Sequence, residues 1–93
     1  MDNPVIFTYD EICILGAFPK CTVGYISLNH PDLDFPIMET FRWNEDKEIH
    51  QYWASEEECW SDWDTDIYLN QNMTGNPKFS SFNYIHIPKE YLL

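Results

Sequence analysis

The sequence contains few basic residues. Its 93 residues include 16 acids and only five bases, which gives a formal net charge of −11 at pH 7. Nucleic-acid-binding proteins need a basic surface that neutralises phosphates, and this chain has no basic stripe. The same charge disfavours contact with an anionic membrane surface. We therefore expect a basic protein as the partner, and neither nucleic acid nor membrane.

Glycine is also scarce, and the motifs of common enzymes are missing. Gly16, Gly24 and Gly75 are too scattered to form a phosphate-binding loop. There is no Gly-x-Ser-x-Gly nucleophile elbow. Cys59 lies among acidic residues, a setting that disfavours a nucleophilic thiolate. We predict a protein that is not an enzyme and has no catalytic residues, with a metal-dependent hydrolase as the least favoured alternative.

The sequence lacks a clear metal site. Its three cysteines and three histidines stand singly, without the close pairs of a zinc site. Asp62, Asp64 and Asp66 match the start of a calcium-binding EF-hand loop. The sixth and twelfth positions of that loop, however, hold Ile67 and Met73 instead of glycine and glutamate. We predict no metal ligand and no cofactor.

Long apolar runs are absent as well. No run approaches the ~20 residues that cross a bilayer, and the N-terminus has no features of a secretory signal. The three cysteines are therefore expected to be reduced thiols. We expect a cytoplasmic protein, in the cytoplasm of the host cell if the protein is encoded by a phage.

The aromatic content of 17% supplies the apolar volume for one modest core, so we predict a single compact domain over residues 1–93. Alternating apolar residues predict strands over residues 5–9, 21–28, 35–43, 48–53, 67–71 and 79–87. Asp10 is a candidate cap for a helical turn over residues 11–17, and the alternative is that residues 12–15 continue as strand. Short connections between strands favour the α+β class, with an antiparallel sheet of five to six short strands.

One main helix is predicted at about residues 55–63, packed on this sheet. Ser55 and Glu58 have the spacing of a capping box, in which each side chain bonds the backbone amide of the other residue. On such a helix Cys59, Trp60 and Trp63 share a face. We expect Trp60 to lie in the core, whereas Trp63 is open to either role.

An acidic segment covers residues 45–66, where nine acids face one base, Lys47. Three of the acids, residues 56–58, occupy the first turn of the predicted helix, where the macrodipole favours carboxylates. Asp62, Asp64 and Asp66 would instead lie at its negative end, where carboxylates are unfavourable. Because local rules are most often broken at functional sites, we interpret the segment as a binding surface. The alternative is a solvated acidic face.

Tryptophans are interleaved with these acids, and aromatic anchors within a charged rim are typical of protein interfaces. The predicted partner-binding residues are seven of the nine acids of the segment and one tryptophan: Glu45, Asp46, Glu48, Glu57, Asp62, Trp63, Asp64 and Asp66.

Carboxylates spaced along a compact domain can imitate nucleic-acid phosphates. Alternate acids on an extended segment repeat every ~6.6 Å and can engage arginines that grip a phosphate backbone. We therefore predict an inhibitor or immunity-type protein that blocks the nucleic-acid-binding site of a nuclease or another DNA- or RNA-binding protein. Phage anti-defence proteins, including anti-CRISPR proteins, and toxin-immunity proteins share this small size and acidity, without a motif match. The alternative is a structural or adaptor module with an aromatic interface.

Overall fold

A six-stranded antiparallel sheet organises the chain in the computed structural model, which describes residues 3–29, 32–69 and 82–93. The strands and helices are β1 Val5–Thr8, α1 Tyr9–Leu15, β2 Gly24–Leu28, β3 Ile37–Asn44, β4 Ile49–Ala54, β5 Cys59–Asp62, α2 Asp66–Leu69 and β6 Phe82–Ile87, followed by a 3-10 turn Lys89–Tyr91. The strand order is β1-β6-β2-β3-β4-β5. The α+β class and the number of strands that the sequence predicts are confirmed.

The helix α1 follows β1 directly because a capping box starts it. The Thr8 hydroxyl accepts from the Glu11 amide, and the Glu11 carboxylate accepts from the Thr8 amide, both at 3.3 Å. Gly16 ends the helix in the left-handed conformation, at φ 75°. The predicted helical turn in this region is confirmed, although Thr8 caps it instead of Asp10. The alternative of a continuous strand is wrong.

The helix predicted at residues 55–63 is wrong. Residues 55–58 form the turn that joins β4 to β5, and Trp53 and Ala54 pair across it with Trp60 and Cys59. A helix of nine residues is marginal without tertiary contacts. The cross-strand pairs of the β4–β5 hairpin therefore outweigh the local preference that Ser55 and Glu58 express.

The sequence after β5 also departs from expectation. The strand predicted at residues 67–71 is wrong over its described part, because the chain there forms the short helix α2. Residues 70–71 lie outside the described residues. The predicted strand 79–87 is confirmed as β6 over Phe82–Ile87, and residues 79–81 lie outside the described residues.

The core lies on the face of the sheet that α1 covers. Its buried side chains come from β2, β3, β6, α1 and the segments that connect them: Ile12, Phe18, Cys21, Ile26, Leu28, Phe41, Trp63, Phe82, Ile85 and Ile87. The Phe18 ring meets Phe41, Trp63 and Phe82 edge to face, with ring centroids 5.3 to 6.1 Å apart. Such pairs add specificity to the burial of apolar area.

The core also requires a close approach between the backbone of β2 at Gly24 and the ring of Phe41. A Cβ atom at Gly24 would lie 2.5 Å from Cε1 of Phe41, so only glycine lets β2 pass the ring.

No helix within residues 3–29, 32–69 and 82–93 is long and apolar enough to cross a membrane.

Candidate binding surface

Two acidic turns lie at opposite ends of β4. The β3–β4 turn comprises residues 45–48 and the β4–β5 turn comprises residues 55–58. Because β4 spans Ile49–Ala54, the two turns are separated by about 20 Å. The predicted acidic surface is therefore divided, and Glu57 does not lie beside Glu45, Asp46 and Glu48.

Both turns end on a glutamate in the left-handed conformation. Glu48 has φ 54° and Glu58 has φ 53°, and they are the only non-glycine residues with positive φ in the part of the chain that the structure describes. Glycine or asparagine is the usual choice at such a position, since a side chain there is strained. Each turn therefore keeps a carboxylate where glycine would be more stable.

The β3–β4 turn is tied to the sheet by Gln51, which is 3% exposed. The Gln51 side-chain oxygen accepts from Arg42 Nε at 2.9 Å and from Asn44 Nδ2 at 3.3 Å, while its Nε2 donates to Asp62 Oδ1 at 2.9 Å. Asn44 Oδ1 in turn accepts from the amide of Lys47 at 3.0 Å. The network joins β3, β4 and β5 and fixes the turn that follows β3.

Asp62 is part of this network. Its Oδ1 lies 3.5 Å from Lys47 Nζ, and both side chains are more than half exposed. The hydrogen bond from Gln51 lowers the pKa of Asp62 below its usual value, and the positive charge of Lys47 lowers it further. Asp62 therefore has a structural role in this network, although the sequence analysis assigned it only to partner binding.

The next two aspartates are also explained by local structure. Asp64 Oδ1 accepts the amide of Asp66 at 3.1 Å, which fixes the entry to α2. Asp66 is the first residue of α2, where a carboxylate faces unpaired amides. The expectation that these residues sit at the negative end of a helix is wrong, so the argument that local rules are broken there no longer applies.

The β4–β5 turn differs in this respect. Glu56, Glu57 and Glu58 are exposed, and none of them has an ion pair or a side-chain hydrogen bond within the described ranges 3–29, 32–69 and 82–93. Without a helix at this position, no macrodipole accounts for three adjacent carboxylates. The three acids that a helix start would have explained therefore lack a structural reason, and the three acids of the β3–β4 turn likewise have no ion pair among the described residues.

The expectation that Trp60 lies in the core is wrong, and Trp63, whose role the sequence left open, lies there instead. Trp63 is 8% exposed and packs in the core against Phe18, so it is not available as a contact residue. Trp60, expected in the core, lies half-buried on the opposite face of the sheet. There it meets Trp53 edge to face at 5.4 Å, and Arg42 lies 4.4 Å from the centre of its ring.

Sequence reasoning missed Trp53 as the exposed partner of Trp60, and it missed that residues 55–58 form a turn between two strands. A signal was present: two acidic segments of four residues begin ten residues apart, each followed by a short alternating segment. That spacing is typical of consecutive β-hairpins. A strand assignment at residues 59–62 would have placed Trp60 and Trp63 on opposite faces.

The remaining titratable groups of interest are buried. His50 is 7% exposed; burial lowers its pKa, and its Nε2 lies 3.3 Å from the carbonyl oxygen of Pro19. Burial raises the pKa of the Cys21 thiol to about 12. No group of three or more histidine, cysteine, aspartate or glutamate side chains that could hold a metal ion occurs among the residues that the structure describes.

Comparison of the chain with protein-family models, with curated protein sequences and with solved structures finds no match. The function of this protein is therefore inferred from the chemistry of its surface.

Proposed function

We propose that this protein binds a basic partner protein and blocks the site at which that partner binds nucleic acid. The observation that carries the proposal is the β4–β5 turn, where three consecutive glutamates are exposed and have no ion pair in the described part of the chain. Unpaired carboxylates at the tip of a hairpin keep their full charge available for a partner's arginines and lysines. Carboxylates displayed in this way can imitate the phosphates of a nucleic acid.

The net charge supports the same partner. A charge of −11 on 93 residues attracts a basic surface over a long range and accelerates encounter with it. The contact residues of the proposal change with the structure. Glu57 stays and is joined by Glu56 and Glu58, whereas Asp62 and Asp64 have structural partners.

The test compares two variants that each remove three negative charges. Glu56→Gln, Glu57→Gln and Glu58→Gln neutralise the β4–β5 turn, and the control neutralises the three acids of the β3–β4 turn: Glu45→Gln, Asp46→Asn and Glu48→Gln. The wild-type protein, immobilised at low salt, should capture basic nucleic-acid-binding proteins that duplex DNA or RNA then releases. We expect the first variant to bind such a captured protein about tenfold more weakly, because exposed ion pairs contribute ~0.2–1 kcal/mol each.

Salt provides the second readout. Capture should weaken steeply toward physiological ionic strength, where the Debye length is ~8 Å. Partners that nucleic acid and salt both fail to release would contradict the proposal. A control variant that loses as much affinity as the β4–β5 variant would place the contact elsewhere.

A second function, an adaptor module with an aromatic interface, is favoured by one observation. Met38 and Trp53 are exposed on the sheet face opposite α1, with Trp60 half-buried beside them. Binding through this face would depend on apolar contact and would be insensitive to salt. Leucine substitution of Trp53 would then weaken capture, whereas neutralisation of the β4–β5 turn would not.

A further inference from the structure

Two of the four tryptophans make a cation–π contact with a basic side chain of this chain. Lys20 Nζ lies 4.6 Å from the ring centre of Trp43, and Arg42 lies 4.4 Å from that of Trp60. Both distances fall within the range of cation–π attraction. Two of the basic residues of this acidic protein, Lys20 and Arg42, therefore already lie over half-buried aromatic rings.

Trp53 is different. Its side chain is 39% exposed, and no cation lies over its ring within the described parts of the chain, whereas Trp63 is buried. The Trp60 ring meets Trp53 edge to face, with an interplanar angle of 70°, and so holds it in place. A ring that is fixed and partly exposed loses little conformational entropy when it binds.

Trp53 lies next to the unpaired glutamates. It pairs with Trp60 across β4 and β5, Ala54 pairs with Cys59 one step further, and the β4–β5 turn follows. One residue of a strand rises ~3.3 Å, so a single pair separates the ring from the turn. An exposed ring and three exposed carboxylates therefore occupy the same end of one hairpin.

We propose that Trp53 and the β4–β5 turn together bind an arginine side chain of the basic partner. The proposal rests on the proposed function and names the chemistry of its contact. A guanidinium is planar and weakly hydrated, so it stacks on an indole more readily than an ammonium does. The carboxylates of Glu56, Glu57 and Glu58 supply the opposite charge beside it.

Charge selects this occupant over the alternatives. A second copy of the chain would bring a further charge of −11 to the same surface. An anionic lipid surface would be repelled for the same reason. An arginine-bearing segment is complementary to both the ring and the turn.

The test uses the full chain labelled with ¹⁵N and a short peptide of alternating arginine and glycine, with a citrulline peptide of equal length as the uncharged control. The indole N–H resonance of Trp53 is identified by its disappearance in Trp53→Leu. We expect the arginine peptide to shift this resonance and the citrulline peptide to leave it in place. Trp53→Leu should weaken the binding of the arginine peptide about two- to fivefold, the range of an exposed cation–π contact.

Two further variants make the test independent of the stability of Trp53→Leu. Trp53→Tyr keeps an aromatic ring and should retain most of the affinity, and its spectrum reports whether the fold is intact. The triple glutamine variant of the β4–β5 turn should bind the arginine peptide about tenfold more weakly, whereas the matched variant of the β3–β4 turn should stay close to wild type.

The inference and the proposed function fail separately. If the arginine peptide leaves the Trp53 resonance unmoved at millimolar concentration, or binds Trp53→Leu as tightly as wild type, the inference is overturned even where neutralisation of the turn abolishes partner capture. A Trp53 resonance that shifts with protein concentration alone would indicate self-association and would also overturn it. If the peptide binds at Trp53 but nucleic acid does not release the captured partner, the inference stands and the proposed function fails.

Discussion

The two acidic turns have nearly the same backbone and different surroundings. Each has four residues, each joins antiparallel strands, and each ends on a glutamate at φ 53–54°. The β3–β4 turn has a lysine within it and is connected to Asp62 through Gln51 and Lys47. The β4–β5 turn has three unpaired glutamates and no such connection among the residues described.

The difference shows that a count of acids does not identify a binding surface. Carboxylates that accept hydrogen bonds from the fold help to hold it together, and their oxygens are already engaged. Carboxylates at a turn without partners contribute nothing visible to stability, and they are the ones that remain available. The comparison yields three predictions about the isolated protein.

The largest expected effect is a difference in stability between a substitution at Gln51, which holds the β3–β4 turn, and one at Ser55 in the β4–β5 turn. Gln51→Ala should lower the free energy of unfolding by about 1–3 kcal/mol, because it removes the part-buried hydrogen bonds that Gln51 makes with Arg42, Asn44 and Asp62. Ser55→Ala, in the β4–β5 turn, should change it by less than about 0.5 kcal/mol. Urea unfolding of the two variants measures both values. Equal losses would mean that the β4–β5 turn is anchored as firmly as the other.

The next largest effect concerns the positive φ angle of the glutamate that ends each turn. Glu48→Gly and Glu58→Gly should each raise the free energy of unfolding by about 0.5–1 kcal/mol, since glycine adopts a positive φ without the strain of a side chain. The two gains should agree, because the two φ angles differ by 1°. Thermal and urea unfolding measure them. A gain at only one turn would show that backbone strain differs between the turns.

The smallest effect is the response to acid. The pKa of Asp62 is lowered in the folded protein, so the unfolded chain takes up the proton first as the pH falls. The contribution of Asp62 to stability is therefore complete above pH 3.8 and is lost as the pH falls through the folded pKa. An NMR titration of the Asp62 carboxyl group measures this pKa. Gln51→Leu should raise it toward the ordinary value, and an unchanged pKa would remove Gln51 as its main cause.

The class of fold could be predicted from the sequence because alternation along single segments indicates strands without knowledge of their partners. The position of the helix could not. Ser55 and Glu58 carry a local helix signal, whereas the hairpin that replaces it depends on the contact of Trp53 with Trp60, which a local pattern does not contain. The capping box at Thr8 and Glu11 is the one that the fold uses.

The acidic character of the candidate site could be predicted from the sequence, but the exposure and the partners of its individual residues could not. Net charge and the run of acids indicate an acidic surface from composition alone. Whether an acid has a partner within the fold depends on strand register: Asp62 accepts a hydrogen bond because β5 places it opposite Gln51. The exposure of Trp53 and the burial of Trp63 depend on the face of the sheet that each occupies, and a helix assignment reverses it.

The strand order has a consequence for how the protein is made. Strands β2 to β5 pair with their neighbours along the chain, so this meander can assemble as soon as its residues leave the ribosome. Among the described strands β1 pairs with β6 alone, and Val5 lies opposite Ile87, so the first strand cannot pair until residues 82–87 have been synthesised. Closing that pair requires a long loop, whose entropy opposes it until the meander has formed. The hairpin with the acidic turn is therefore complete before the domain is, and a partner that needs only this hairpin can meet it during translation.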